Sequence, residues 1–470
     1  MIIHFNSILM MTVLSVLIFF SLADKVDTYL VGSDMEVYFL LISTLFILFI
    51  NRQLKNGILE FLNTFFIFFY IIRIPFIFMD SVSSDVLTRG VNIPDISWYL
   101  FVLATQYLFL AIAIIMVNAR ISKDMVRDIV SEKVIKRVLF FCFLVLIFNI
   151  IRRAFYFDIH GGDSLNFFWS IFGSIFTGKN VLMTMVVMLF VIEKNLLSKY
   201  KYIISSIILI TIAQFVYGGS KSIIIEFFLL IYLGSLVVYG PLKLKISNLI
   251  IMFFCGVFGV LTYFFGILTR ALHIENYDFN VSNLIYVYND RFVSNIAFFI
   301  DGFSYRIGYF DFFIQKLSLP VYELYVNLPF YFQSIIDRIT PGFDVYGVPY
   351  AAAAVYSAYN VDNTSSIAQS EFVTVFGEGY IIFGFFSFLF YIAMLLLVKY
   401  LIFQSKSAYT FNTVLFRLFI MMSIYLWLRG PGLDMVFLFT IYKGIFVLSI
   451  MAIVKYCSVN PIRRIKKSLI

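Results

Sequence analysis

Residues 96 to 137 read ISWYLFVLATQYLFLAIAIIMVNARISKDMVRDIVSEKVIKR, and the fold turns on that stretch. Residues 96 to 117 carry no charged side chain, and about 20 apolar residues in helical conformation are what the hydrocarbon core of a bilayer requires. Residues 118 to 137 then hold six Lys and Arg, the mark of a loop kept on the cytoplasmic side of a membrane. After them the apolar pattern resumes, so the stretch predicts a span, an inner loop and the start of a returning span.

Outward from this hairpin, apolar runs of near-spanning length recur at 7–22, 36–50, 57–79, 96–117, 138–156, 174–192, 202–217, 222–239, 248–268, 376–398, 411–428 and 433–454. With the N-terminus inside, the inner segments 51–56, 118–137, 193–201, 240–247, 399–410 and 455–470 hold 20 of the 35 Lys and Arg. The short outer segments 24–34, 80–95 and 158–163 are acidic or nearly uncharged by comparison. Composition agrees: a chain that is 62% hydrophobic and 13% charged lies far from the soluble average of about a quarter charged. The expected fold class is all-α, a polytopic integral membrane protein of about 12 transmembrane helices with both termini cytoplasmic. The formal charge of +8 is accounted for by loop topology rather than by nucleic-acid binding. Cys142 and Cys255 fall in apolar spans and Cys457 near the C-terminus, which leaves no disulfide framework or thiol metal site in the outer loop. The first apolar run lacks a basic n-region and an A-x-A site and reads as a retained helix. Gly178, Lys179 and Asn180 interrupt the sixth run, so residues 166 to 177 are open to being an outer-surface or a re-entrant helix.

One long loop breaks the pattern and divides the chain into three parts: 1–268 with nine spans, 269–371 as a large outer loop and catalytic cap, and 372–470 with three spans and a basic tail. Within the loop, apolar residues from 283 to 317 recur at mostly helical spacing, and a second helical stretch runs from 321 to 339 and stops at Pro341-Gly342. Residues 346 to 369 then mix four Tyr and four consecutive Ala with Asn, Thr and Ser, a surface suited to sugar hydroxyls or simply one that lies over the bundle.

The loop carries Arg270, Arg291, Arg306 and Arg338 on the side where short-loop cations are disfavoured. Arg73, Arg152, Arg153, Lys179, Lys221 and Arg429 stand at outer ends of spans. Arg offers a planar fork of donors matched to phosphate oxygens, so Arg270, Arg291, Arg306, Lys221 and Arg429 are the candidate diphosphate ligands. Lys443 and Arg417 lie inside spans, where a charge is costly and faces a polar cavity, with Glu226 as the obvious acidic counterpart. Glycosyl transfer needs a base near the acceptor, and Glu371, Glu378 and His273 are the candidates, Glu371 first. No D-x-D triplet, P-loop, G-x-S-x-G or H-E-x-x-H occurs, so neither a metal ligand set nor another cofactor site is expected.

Several of these features together resemble the Wzy family of O-antigen and oligosaccharide repeat-unit polymerases. The span number and the single late outer loop match. Glu371-Phe-Val-Thr-Val-Phe-Gly377, followed by Gly379 and Phe383-Gly384, resembles the family's glutamate and Phe-Gly pattern. Gly218-Gly-Ser-Lys221 resembles its glycine, serine and basic turn, and Arg291 with Gly302 matches an Arg-x10-Gly spacing, although the second copy of that spacing is absent. The resemblance implies an inverting, metal-independent transfer of a growing glycan from undecaprenyl diphosphate to a new lipid-linked unit. It further implies a bacterial inner-membrane location, membrane lipid contact, a chain-length regulator protein as partner and no nucleic acid. An O-antigen ligase using the same diphosphate donor, and a lipid-linked oligosaccharide flippase or other transporter, are the competing readings.

Overall fold

The computed structural model describes residues 2–22, 32–79, 96–119, 130–156, 172–217, 223–241, 243–245, 268, 272, 280–289, 310–317, 328–339, 345–348, 374–404, 410–430 and 432–458. Among these, ten helices are long and apolar enough to cross a membrane. A shorter apolar helix, Ile223–Tyr239, stands where the eighth span is expected. The run at 248–268 lies almost wholly outside the described residues. The protein is therefore an all-α polytopic membrane protein, as its sequence predicts.

In chain order the elements are β1 (Ile2–His4), α1 (Phe5–Leu22), α2 (Asp34–Leu54), α3 (Gly57–Phe66), a π-helical turn (Ile67–Ile71), α4 (Arg73–Met79), α5 (Ile96–Val117), α6 (Glu132–Tyr156), α7 (Gly178–Val191), α8 (Lys194–Tyr217) and α9 (Ile223–Tyr239). They continue with β2 (Lys243–Lys245), the loop helices α10 (Val281–Tyr288), α11 (Phe310–Leu317) and α12 (Leu328–Ile339), then α13 (Thr374–Phe383), α14 (Ser387–Gln404), α15 (Phe411–Arg429) and α16 (Leu433–Ser458). Helix starts are set by local chemistry. Asn56, Thr177, Asn280 and Thr410 each accept a backbone N–H of the first turn, satisfying one otherwise orphaned donor.

Large apolar side chains on the outside, such as Phe46, Phe140, Leu209 and Leu389, are exposed. A soluble surface does not tolerate such a belt, whereas acyl chains do. The inside is sorted by helix: 78% of the Gly57–Ile77 span and 72% of Phe411–Arg429 are buried in the bundle, against 28% of Lys194–Phe215, so α3 and α15 form its centre.

Contacts between distant segments sort the helix ends onto two faces. On one face the β1 and β2 strands pair antiparallel, with Ile2 opposite Lys245. Asn56 donates to the Ala119 carbonyl at 3.0 Å, Lys399 donates to the Val117 carbonyl at 2.7 Å, and Lys199 meets Glu132 at 2.7 Å. On the other face the Ser33 and Ser97 hydroxyls are 3.2 Å apart, and Tyr70 bonds the Thr374 hydroxyl. This alternation agrees with the span parity read from the basic loops.

Two expected spans differ in form. The sixth is broken just before Gly178, where Thr177 caps α7 after a helical turn at residues 172 to 175. The tenth is two pieces, α13 and α14, separated by a 3-10 turn at Gly384–Phe386, with Gly384 at φ 55 in the left-handed region that glycine adopts freely. A single helix over 376–398 is thus corrected to a broken one. At 30 residues the Thr374–Phe403 stretch exceeds the roughly 20 needed to cross, and the surplus turn folds back into the bundle.

Candidate functional site

Of the expected site residues, Glu378 and Arg429 are described. Glu371, His273, Arg270, Arg291, Arg306 and Lys221 lie outside the described residues. The two that are described stand on elements that meet at the loop-covered face.

That meeting point is built around the turn from Arg429 to Leu433. Gly430 ends α15 in the left-handed conformation, and a Cβ there would collide with the Thr374 backbone. Thr374 is itself at φ 60, a rare conformation for a β-branched residue, and its hydroxyl is hydrogen-bonded to Tyr70 in the π-turn. One turn into α13, the buried Glu378 accepts the backbone N–H of Leu433 at 2.6 Å. This carboxyl therefore caps the N-terminus of α16 from a neighbouring helix, where four N–H groups lack helical partners and the dipole favours negative charge. Asp434, buried in the first turn of α16, accepts the Ser334 hydroxyl of α12 at 2.6 Å, and the Tyr331 hydroxyl lies beside Glu378. The loop is thereby tied to the bundle through buried oxygen atoms.

The described part of the loop is a folded cap. α12 packs on α16, and α11 packs on α5, α13 and the π-turn, with Phe313 edge-on to Tyr70 at 6.2 Å between ring centroids. Asp337 accepts the backbone N–H groups of Tyr346 and Val348 at 2.8 and 3.0 Å, which pins the segment after α12. Tyr391 supports the floor: its hydroxyl donates to Gln106 at 2.9 Å and presses on Gly379, where no side chain fits.

Beside this junction is a second set of charges. Lys179, on the first turn of α7, meets Glu226, on the first turn of α9, at 2.7 Å. Arg429 and Lys443 both act on Glu226 through Coulomb attraction. The sequence offered Glu226 as the acidic counterpart of Lys443; the two do attract each other, and the hydrogen-bonded partner of Glu226 is Lys179. Four packed helices, α7, α9, α15 and α16, contribute the four side chains. Charge is also buried nearer the opposite face, at Glu60 on α3 and Arg417 on α15.

Sequence reasoning missed Glu60, Asp434 and Ser334. A carboxylate inside an apolar span is a signal in its own right for Glu60, and Asp434 is marked by its place in a helix first turn. Ser334 carried no signal, because its meaning comes from a contact 100 residues away along the chain. Among the described residues no three His, Cys, Asp or Glu side chains converge as a metal-ligand set. Compared with known families, curated proteins and solved structures, the chain matches none.

Proposed function

We propose that this protein is a membrane glycosyltransferase that polymerises undecaprenyl-diphosphate-linked oligosaccharide repeat units, as do members of the Wzy family it resembles. The observation that carries the reading is the coincidence of a helical cap with a cluster of charged side chains, Lys179, Glu226, Arg429 and Lys443, at one end of a broken-helix bundle. A lipid-linked diphosphate needs this combination: an apolar surround for its prenyl chain, cations for its phosphates, and a cap with polar surface for its sugars. In this reading the loop faces the periplasm and both termini face the cytoplasm.

The chemistry divides between two groups of side chains. Glu371, three residues before the strained Thr374, takes the proton of the acceptor hydroxyl as the new glycosidic bond forms. The bond to the donor diphosphate breaks with inversion, and cationic side chains receive the growing charge on the leaving phosphate. Loop arginines 270, 291 and 306 and the bundle cations Lys221 and Arg429 are assigned to that task. Glu378 is assigned to holding α16 rather than to proton transfer, because its carboxyl already accepts a backbone N–H.

The test is the length of glycan on the lipid carrier in cells deleted for this chain. Collapse of the ladder to single repeat units supports the polymerase. Full-length ladders that remain on the carrier and never reach a lipid A core indicate a ligase, and absence of all outer-face glycan indicates a flippase.

A further inference from the structure

We propose that α12, together with residues 345 to 348, is a membrane-surface element, whose outer face lies in the headgroup–acyl boundary of the bilayer and seats the cap there. This lipid contact follows from the packing of α12 and stands whatever reaction the protein carries out.

Polarity along α12 is the first observation. The helix runs Leu328–Ile339 with Pro329 in its first turn, where the missing N–H removes no helical hydrogen bond. Tyr331, Ser334 and Asp337 are buried, whereas Pro329, Phe332 and Ile336 are exposed. At 3.6 residues per turn the centres of these two sets lie about 190° apart, on opposite sides of the helix. Two hydroxyls and a carboxylate thus face the protein, and a proline, a phenylalanine and an isoleucine face away from it. A helix that caps a protein in water is turned the other way, with its apolar side inward. Phe332 is 59% exposed while Ser334, two residues on, is 0% exposed. Asp337 widens the outer face: by accepting the N–H groups of Tyr346 and Val348 at 2.8 and 3.0 Å, it holds the exposed Val345 and Tyr346 alongside α12.

The packing of α16 identifies what covers that face. Phe437, Ile441, Ile445 and Leu448 are exposed at intervals of four, four and three residues, which places them in a single stripe of the kind that meets acyl chains. Extended three residues toward the start of the helix, the stripe reaches Asp434. Asp434 is nevertheless buried, and its partner there is the Ser334 hydroxyl of α12 at 2.6 Å. α12 therefore lies over the lipid-facing side of α16, and its own far side continues the stripe.

Depth agrees. The apolar part of α16 runs 21 residues from Val436 to Tyr456, about 30 Å of helix, which matches the roughly 30 Å of a hydrocarbon core. Asp434, and α12 upon it, stand at the edge of that core, the level of the headgroups. Amphipathic helices lying in this plane sink their apolar face about 5 to 10 Å into the boundary. Tyr346 suits the same layer, because its ring is apolar and its hydroxyl reaches water. Lipid and bundle then hold the same helix from its two sides. Lifting α12 breaks the Ser334–Asp434 bond and also draws Phe332 and Ile336 out of lipid.

The experiment uses the full-length protein in phosphatidylcholine nanodiscs, with its three native cysteines replaced by alanine. Nitroxide labels are placed singly at Phe332→Cys and Ile336→Cys, with Leu389→Cys on the lipid belt and Lys136→Cys in solvent as references. Power saturation reports collisions with oxygen, which enters lipid, and with a nickel chelate, which does not. Both cap labels are expected to follow Leu389→Cys, with oxygen contact exceeding nickel contact, at a depth of about 5 to 10 Å below the phosphates. Nickel contact equal to that of Lys136→Cys overturns the lipid contact. Exclusion of both reagents overturns it too and shows protein on this face, and broadening that vanishes when labelled protein is diluted with unlabelled protein then identifies a second copy. Ile336→Asp, added beside the label at Phe332→Cys, is expected to shift that label toward nickel contact while the label at Leu389→Cys is unchanged in the same background. An unshifted label in the folded variant overturns the anchoring role of this face. Ile336→Ser takes its place if size-exclusion profiles show that Ile336→Asp does not fold.

Discussion

Two ion pairs of the same length mark the two faces of the bundle. Lys199 meets Glu132 at 2.7 Å with side chains 58% and 36% exposed, while Lys179 meets Glu226 at 2.7 Å with 35% and 10% exposed. The geometry is equal and the surroundings are not. Around Glu132 the partners Lys136 and Lys199 stand in solvent, where charges are screened and side-chain freedom is lost on pairing, while the buried Tyr200 donates its hydroxyl. Around Glu226 most solvent is excluded, so a charge there is costly without a partner. The helix ends repeat the lesson. Both faces have a left-handed C-cap, but Lys55 at φ 51 is exposed on one, whereas Gly430 at φ 63 on the other is pressed against Thr374. Function is sought at the face where the chain has no freedom to change.

The largest effect should come from adding one methyl group at that face. Gly430→Ala places a Cβ into the Thr374 backbone and forces a non-glycine residue into the left-handed region, so neither partner can yield without moving α13 or α15. A loss of more than about 4 kcal/mol is expected, seen as little monodisperse protein in detergent. Lys55→Gly, the matching change at the opposite cap, should be neutral or slightly stabilising. Equal behaviour of the two variants would break the comparison.

Next in size is Glu226→Gln. Removing the carboxylate takes from Lys179 its hydrogen-bonded partner at 2.7 Å, which should cost about 3 kcal/mol. A Tm equal to that of the wild type would show that this pair adds nothing measurable to the bundle.

These expectations rest on features of unequal legibility in the sequence. The spans among the described residues and their alternation were readable because residues 96 to 137 and their repeats follow two simple rules, apolar length and basic inner loops. Glu226 and Lys443 stood out as charges inside apolar helices, and Arg429 as a cation at a span end. The direct pairing of Glu226 with Lys179 did not. Lys179 and Glu226 are 47 residues apart, and only the packing of α7 on α9 brings them together. The break at Gly384 was hidden inside an unbroken apolar run, since hydropathy records composition and is blind to φ. For Glu378 the sequence suggested proton transfer and gave no sign of the bond to the Leu433 N–H, because a backbone group has no signature in sequence.

A smaller effect follows at Glu378. In Glu378→Gln the amide oxygen still accepts from Leu433, so a loss of about 1 kcal/mol is expected, with glycan chain extension intact; Glu378→Ala leaves the buried N–H unpaired and should cost about 2 to 3 kcal/mol. Glu371→Gln, by contrast, should abolish extension at normal membrane levels. Loss of extension in Glu378→Gln with unchanged Tm would move the base from Glu371 to Glu378.

The smallest effect is the one that tests the comparison most sharply, because it asks whether burial or geometry decides the worth of an ion pair. Glu132→Gln removes a carboxylate with three partners, Lys136, Lys199 and Tyr200. If partners alone were what counted, this variant would be costly. In solvent, however, Lys136 and Lys199 regain hydration and rotamer freedom when Glu132 is lost, and little stability goes with it. Salt provides the second readout. Raising ionic strength from about 0.1 M to 1 M shortens the screening length from roughly 10 Å to 3 Å, which should erase any residual difference between Glu132→Gln and the wild type. The deficit of Glu226→Gln should persist in chloride at the same ionic strength, because the bundle keeps bulk salt from the pair. Matched melting curves of both variants at the two salt concentrations make the comparison, and a Glu132→Gln deficit that equals that of Glu226→Gln at high salt would show that burial is not what distinguishes the two faces.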